Sequence, residues 1–144
     1  MQTENSIVIK GDIDEVFSVV QDVERYPEFM PQFKETEIIK KDGNKILVKR
    51  RIKIGCLPLD WQSEMVIGKD RWIKFTHLTG LLRGMETEWR FKETEEGVEI
   101  RVFHNLEIKI PIVGRIITFI LWEAFIKKTA EIMLKKIKER VEGK

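Results

Sequence analysis

Cysteine is nearly absent from this 144-residue chain, where Cys56 stands alone. A single thiol excludes an internal disulfide framework and suits a reducing compartment. Beside Leu57 and Pro58, with no base near it, Cys56 reads as a small apolar filler. Histidine is scarce too: His77 and His104 lie far apart, with no second ligand at helical spacing, so a structural zinc site is not expected. Gly-rich phosphate loops, dinucleotide fingerprints and G-x-S-x-G elbows are missing, and no cofactor is expected. An excess of one charge sign is missing as well. The formal net charge is only +2, and the basic residues are not interleaved with an aromatic ladder, so no nucleic-acid partner is expected. No basic-then-apolar signal segment opens the chain. The longest apolar run, near Ile110 to Phe125, is broken by Arg115 and Glu123 and falls short of the roughly 20 residues a bilayer demands. Together these absences point to a cytoplasmic protein, with peripheral contact at the inner membrane left open. Asn and Gln are sparse while Glu and Lys abound, a balance that leans towards a thermophile.

What is present reads as one domain over 1–144, long enough to bury a core. Asn5 to Lys10 alternates into a first strand. Asp12 then opens a short helix, with Glu15 three residues on as a capping box; Val16, Phe17, Val19 and Val20 supply its apolar stripe, which ends near Val23. Two prolines keep Tyr26–Phe33 short and bent. Period-two alternation predicts strands near Glu35–Lys41, Lys45–Ile54, Leu59–Ile67, Trp72–Leu78 and Met85–Thr94, then one from Val98 to about Ile108. A long helix closes the chain from about Val113 to Val141. The order β-α-α-β6-α indicates an α+β fold in helix-grip form, a curved antiparallel sheet wrapped around the C-terminal helix.

The hairpin tips alternate in character. Asp42-Gly43-Asn44, Gly68-Lys69-Asp70 and Glu95-Glu96-Gly97 are charged, whereas the connections at Gly55–Leu59, Leu78–Gly84 and Ile108–Gly114 are apolar. Successive turns of a meander fall at opposite ends of the sheet, so one end should be polar and the other an apolar rim, the mark of a binding mouth or contact surface. On the inward face the alternation places large hydrophobes, Trp61, Met65, Phe75, Met85, Trp89 and Val102, beside a few polar groups, Arg50, Ser63, His77, Thr87 and His104. That composition fits a small-molecule cavity, and equally a solid core holding a few satisfied polar groups.

On the final helix, Ile112, Ile116, Phe119, Ile126, Ala130, Met133, Leu134, Ile137 and Val141 make one stripe with Glu123 in its midst. Such a carboxylate is either a structural ion pair or turned outwards by a kink, or else a polar anchor for a ligand head group, with Arg50, His77 or His104 as partner. Ile117, Leu121 and Phe125 lie on the opposite face and suit contact with a partner protein or a membrane interface.

The segment Tyr26-Pro27-Glu28-Phe29-Met30-Pro31, preceded by Asp22-Val23-Glu24-Arg25, resembles the Y-P-x-F-x-P stretch of the START/polyketide-cyclase superfamily (SRPBCC), in its coenzyme Q-binding protein-like branch. Ile13–Phe17 resembles the family's helix start, and Trp89-Arg90-Phe91 and the terminal helix agree; where the branch carries Trp-Cys after its second proline, Gln32-Phe33 stands here. The resemblance implies a START-like, Bet v 1-like fold with a hydrophobic cavity between sheet and helix. It also implies lipid binding or the carriage of an isoprenoid quinone, and it adds Tyr26, Phe29 and Met30 to the ligand-binding candidates. A polyketide or aromatic cyclase or dehydratase is the alternative, needing a proton-transfer group among His77, His104 and Glu123. A ribosomal or respiratory interaction module is a third reading.

Overall fold

The computed structural model describes residues 2–54, 56–80, 82–106 and 112–143, with the backbone course alone at 54, 57 and 112–122. The elements are β1 (Gln2–Ile9), α1 (Ile13–Gln21), a 3-10 turn (Val23–Arg25), α2 (Tyr26–Phe29), β2 (Phe33–Asp42), β3 (Lys45–Ile54), β4 (Leu57–Gly68), β5 (Trp72–His77), β6 (Glu86–Thr94), β7 (Gly97–Asn105) and α3 (Ile112–Glu142). The seven strands form one antiparallel sheet in the order β1-β7-β6-β5-β4-β3-β2. The two short helices therefore carry the chain from one sheet edge to the other, and α3 returns along the concave face against β1. This is the expected helix-grip arrangement.

Alternation decides which residues point inwards. Val48, Arg50 and Ile52 on β3, Ser63 and Met65 on β4, Ile73, Phe75 and His77 on β5, and Thr87, Trp89 and Phe91 on β6 are all buried. Their flanking neighbours carry surface ion pairs such as Arg51–Asp60 at 2.6 Å. The register places the Asp42–Lys45 and Gly68–Trp72 turns at one end of the sheet. The β3–β4 and β5–β6 connections lie at the other, beside the start of β1 and the end of β7. The expected division into a charged end and an apolar end holds for the connections the structure describes. At the apolar end Met85, Leu106 and Ile126 are buried together, with Leu82 and Phe125 packed on them.

Local departures from expectation have physical causes. β1 begins at Gln2 because its pairing with β7 runs the full length from Gln2↔Asn105 to Ile9↔Val98. α1 starts where expected, but Asp12 makes no side-chain capping bond. Burial of Ile13, Val16 and Val20 holds the helix instead, with Asp14 turned to Arg71 at 2.8 Å. Cys56, expected as filler, is exposed in the β3–β4 turn, where two residues leave no interior to fill. The bent segment is tied down by two hydroxyls: Tyr26 donates to the Val20 carbonyl and Thr36 to the Val23 carbonyl. Among the described residues no helix is long and apolar enough to cross a membrane.

Candidate functional site

Between the concave face and α3 lies a cavity of about 100 Å³. The sheet lines it with Phe33, Arg50, Ile52, Leu59, Asp60, Trp61, Phe75, His77, Thr87, Trp89 and His104. The β5–β6 connection adds Leu82 and Met85, and α3 adds Phe125, Ile126, Thr129 and Met133. A volume of this size is of the order of a single aromatic ring, and because the cavity is open rather than sealed a larger ligand can extend out of it.

Arg50 is the dominant electrostatic feature. It is only 5% exposed, yet no carboxylate among the described residues lies within ion-pair distance of it. Asp60, the one acid among the described lining residues, is engaged by Arg51, whose hydrogen bond holds its carboxyl below the usual range. Three rings take the place of a counter-ion. The guanidinium carbon sits 4.3 Å from the Phe75 ring centre, 5.3 Å from Tyr26 and 5.5 Å from Phe33, within the range of cation–π attraction. Burial lowers the Arg50 pKa, opposed only by Tyr26, but a guanidinium keeps its charge at neutral pH. Burial drives the Tyr26 hydroxyl up to about 12 despite the nearby cation, so it stays a neutral donor to Val20. Nε and Nη2 of Arg50 have no protein acceptor.

Pairing register groups the other polar side chains around it. Arg50 faces Trp61 across β3–β4, and Ser63 faces His77 across β4–β5. The Trp61 indole stacks on the His77 imidazole, with ring centres 5.2 Å apart and planes 10° from parallel. On the far side Thr87 faces His104 across β6–β7. Trp61 Nε1, Ser63 Oγ, His77 Nδ1 and His104 Nδ1 are buried without protein partners. Burial, then the positive charge of Arg50, pushes His77 down to about 3; burial pushes His104 down to about 4. Both are neutral at pH 7 and present a donor and an acceptor to the cavity.

The β5–β6 connection closes over the apolar end by hydrogen bonds. Leu78 N–H donates to the Gln62 carbonyl at 2.8 Å and Gln62 N–H to the Thr79 hydroxyl at 2.9 Å. Gly80 takes φ +87° with its Cα against β4: a Cβ there would lie 2.8 Å from the Asp60 carbonyl.

Of the residues singled out from sequence, Arg50, Trp61, Phe75, His77, Met85, Thr87, Trp89 and His104 line this cavity. Tyr26, Met30, Met65 and Val102 do not; they are fully or almost fully buried in the core, Tyr26 beneath the guanidinium and Met65 and Val102 one residue pair from the lining. Phe29 lies outside it, edge-on to Tyr26 and covered by Arg140. Glu123 is half-buried, is not part of the described lining, and makes no ion pair with Arg50, His77 or His104. Ile116, Phe119, Ile117 and Leu121 lie outside the residues whose side chains the structure describes. Phe125, expected on an outward face, is half-buried and lines the cavity, because with Leu82 it packs against the buried Met85, Leu106 and Ile126. Phe33, Ile52, Leu59, Asp60, Leu82, Ile126, Thr129 and Met133 were not anticipated as site residues, although strand parity already turned Ile52 inwards and the helical stripe held Ile126 and Met133.

Residues 9–128 match the family model described as polyketide cyclase / dehydrase and lipid transport. A protein of Streptomyces halstedii named "Putative polyketide cyclase" is 30% identical over 107 residues, which cover 69% of this chain and 94% of that one. The fold is also that of the ZhuI aromatase/cyclase of Streptomyces sp. R1128, with TM-score 0.87, 17% identity, and coverage of 99% of this chain and 93% of that one. A START superfamily protein of Mycobacterium smegmatis superposes with TM-score 0.82 at 16% identity, over 99% and 97% of the two chains. The sheet gripping a long helix and the match over most of the sequence agree: this chain belongs to the polyketide cyclase/dehydrase and lipid transport family.

Proposed function

We propose that the protein binds a small, largely apolar aromatic molecule in the cavity between sheet and α3, and that Arg50 receives an oxygen of that molecule which carries or develops negative charge. The observation that carries this reading is the buried guanidinium with two unpaired nitrogens and no carboxylate partner among the described residues. A cation in low dielectric attracts an incoming anion far more strongly than one in water, and the aromatic and aliphatic lining supplies the remaining affinity at roughly 25 cal/mol per Å² buried. Phenolates, enolates and polarised ketones fit these demands. An isoprenoid quinone fits in part: its ring matches a cavity of about 100 Å³, while its tail would have to leave through the apolar end.

Turnover is the second reading, favoured by His77, an imidazole that shares the cavity lining with Arg50 and whose Nδ1 is buried without a protein partner. In an aldol-type ring closure, imidazole takes the proton from a carbon between two carbonyls, the electron pair settles on the enolate oxygen facing Arg50, and the enolate carbon attacks a second carbonyl. The imidazolium then returns its proton to the new alkoxide. The growing negative charge at Arg50 would raise the basicity of His77 during the step.

The test is fluorescence titration of the protein with 2-naphthol and with a short-chain ubiquinone, alongside mass spectrometry of solvent extracts. Saturable binding that falls at least about tenfold in Arg50→Met supports the reading. Binding that is unaffected by Arg50→Met, or absent for every aromatic, defeats it. Conversion of a poly-β-ketone substrate that is lost in His77→Phe while the naphthol still binds would establish the enzymatic reading over simple carriage.

A further inference from the structure

Beyond Arg50, a second group of unpaired polar atoms lies on the far flank of the concave face. Thr3 on β1 is 7% exposed and stands directly opposite His104 on β7. Side chains so paired point to the same face with Cβ atoms about 5 Å apart. Thr3 Oγ1 and His104 Nδ1 are both buried, and neither is bonded to the other or to any other protein group. Asn5, the next inward residue of β1, donates its amide to the Lys127 carbonyl of α3 at 3.1 Å, which leaves its buried Oδ1 unpaired as well. Native interiors leave few such groups unsatisfied, and here three gather at one place.

His104 belongs to the cavity lining and marks its end away from Arg50 and His77, with Thr3 and Asn5 beside it on β1, outside that lining. Arg50 springs from β3 but its guanidinium reaches the Phe75 ring on β5, and from β5 to β7 is two strand spacings, roughly 10 Å. Phe75, Met85, Trp89 and Ile126 fill the lining between the two ends with apolar surface.

We infer that Thr3 and His104 form a second polar subsite, which takes a hydroxyl or carbonyl at the opposite end of the ligand from the oxygen held by Arg50. The chain would thus select an aromatic molecule oxygenated at two separated positions. This inference rests on the binding reading above. Asn5 Oδ1 adds an acceptor for a ligand hydroxyl, and Thr3, both donor and acceptor, serves either a hydroxyl or a carbonyl.

Matched probes separate the two ends. Wild-type protein and the variants Thr3→Val, His104→Phe and Arg50→Met are titrated with 2-naphthol and 2,6-dihydroxynaphthalene, after circular dichroism melts establish that each variant is folded. Thr3→Ala and His104→Gln stand in for any that is not. The wild type should bind the diol about tenfold or more tightly than the mono-ol. Thr3→Val, outside the cavity lining, should erase that preference while leaving 2-naphthol affinity within about twofold; His104→Phe should erase it as well, and His104→Gln, which keeps a donor and an acceptor, should restore part of it. A wild type without preference, or a preference that survives both variants, overturns the second subsite while leaving the Arg50 reading intact. Failure of both compounds to bind the wild type overturns the binding reading and this inference with it.

Discussion

Arg50→Met should weaken ligand binding and leave the fold as stable as before or more so. Two expectations compete at this position. If Arg50 were a structural cation whose aromatic cage holds the interior together, removing it would cost about 3–5 kcal/mol, as breaking a satisfied buried charge interaction does. The surroundings argue otherwise. Three ring contacts, at 4.3, 5.3 and 5.5 Å, each return up to about 2 kcal/mol when desolvated. Against them stand a desolvation cost of several kcal/mol for the ion and two unpaired guanidinium nitrogens, each costing about 1–3 kcal/mol. Methionine fills similar volume, keeps contact with the rings and brings no charge. Replacing buried ionic groups with apolar ones of like shape is neutral to stabilising by about 1–4 kcal/mol. The expected result is therefore a change between zero and about +3 kcal/mol, read by guanidinium chloride denaturation, with Tm unchanged or raised by several degrees. A loss of more than about 1 kcal/mol would refute the view that this cation is held for a ligand.

Acid should destabilise the protein through its two histidines. His77 and His104 stand at about 3 and about 4 when folded against about 6.5 in the unfolded chain. The unfolded state thus binds more protons below pH 6.5, and stability present at pH 7 is lost as pH falls from 6.5 towards the folded values. Denaturation at pH 7 and pH 5 should differ by roughly 2 kcal/mol for each histidine, and His77→Phe should remove about half of the difference; a flat profile contradicts the burial. Tyr26→Phe strips the Val20 carbonyl of its buried donor and should cost about 1–3 kcal/mol by chemical denaturation; a neutral result would mean the hydroxyl is dispensable. Gly80→Ala forces a side chain into φ +87° and against the Asp60 carbonyl, so it should cost about 1–3 kcal/mol locally, seen as faster hydrogen exchange at Leu78 and Gln62. Unchanged exchange would show that the β5–β6 connection is not held there.

Much of this could be read from the chain, and the reasons differ by element. The strands were legible because a half-buried sheet imposes strict parity: Val48, Arg50 and Ile52 on β3 and Ile73, Phe75 and His77 on β5 are buried as their spacing demands. The same parity exposed Arg50 as a charge on an apolar face, and that anomaly lines the cavity. Residues outside regular strands were harder. Tyr26 and Met30 look like ligand contacts from the family resemblance, yet Tyr26 packs its ring under the guanidinium and hands its hydroxyl to Val20, an arrangement set by tertiary approach rather than by local pattern. Glu123, in the midst of the apolar stripe on α3, and Phe125, on the opposite face, are both half-buried, because a helix has no parity to decide the matter and the surrounding packing does. Thr3 was invisible for a different reason. Its significance depends on β1 lying beside β7, strands from the two ends of the chain that meet only when the sheet forms. In a helix-grip fold the walls of the cavity are thus written in strand parity, whereas its polar ends depend on which strands become neighbours. Thr3 and His104, about a hundred positions apart in sequence and directly opposite in register, are the clearest instance of that division.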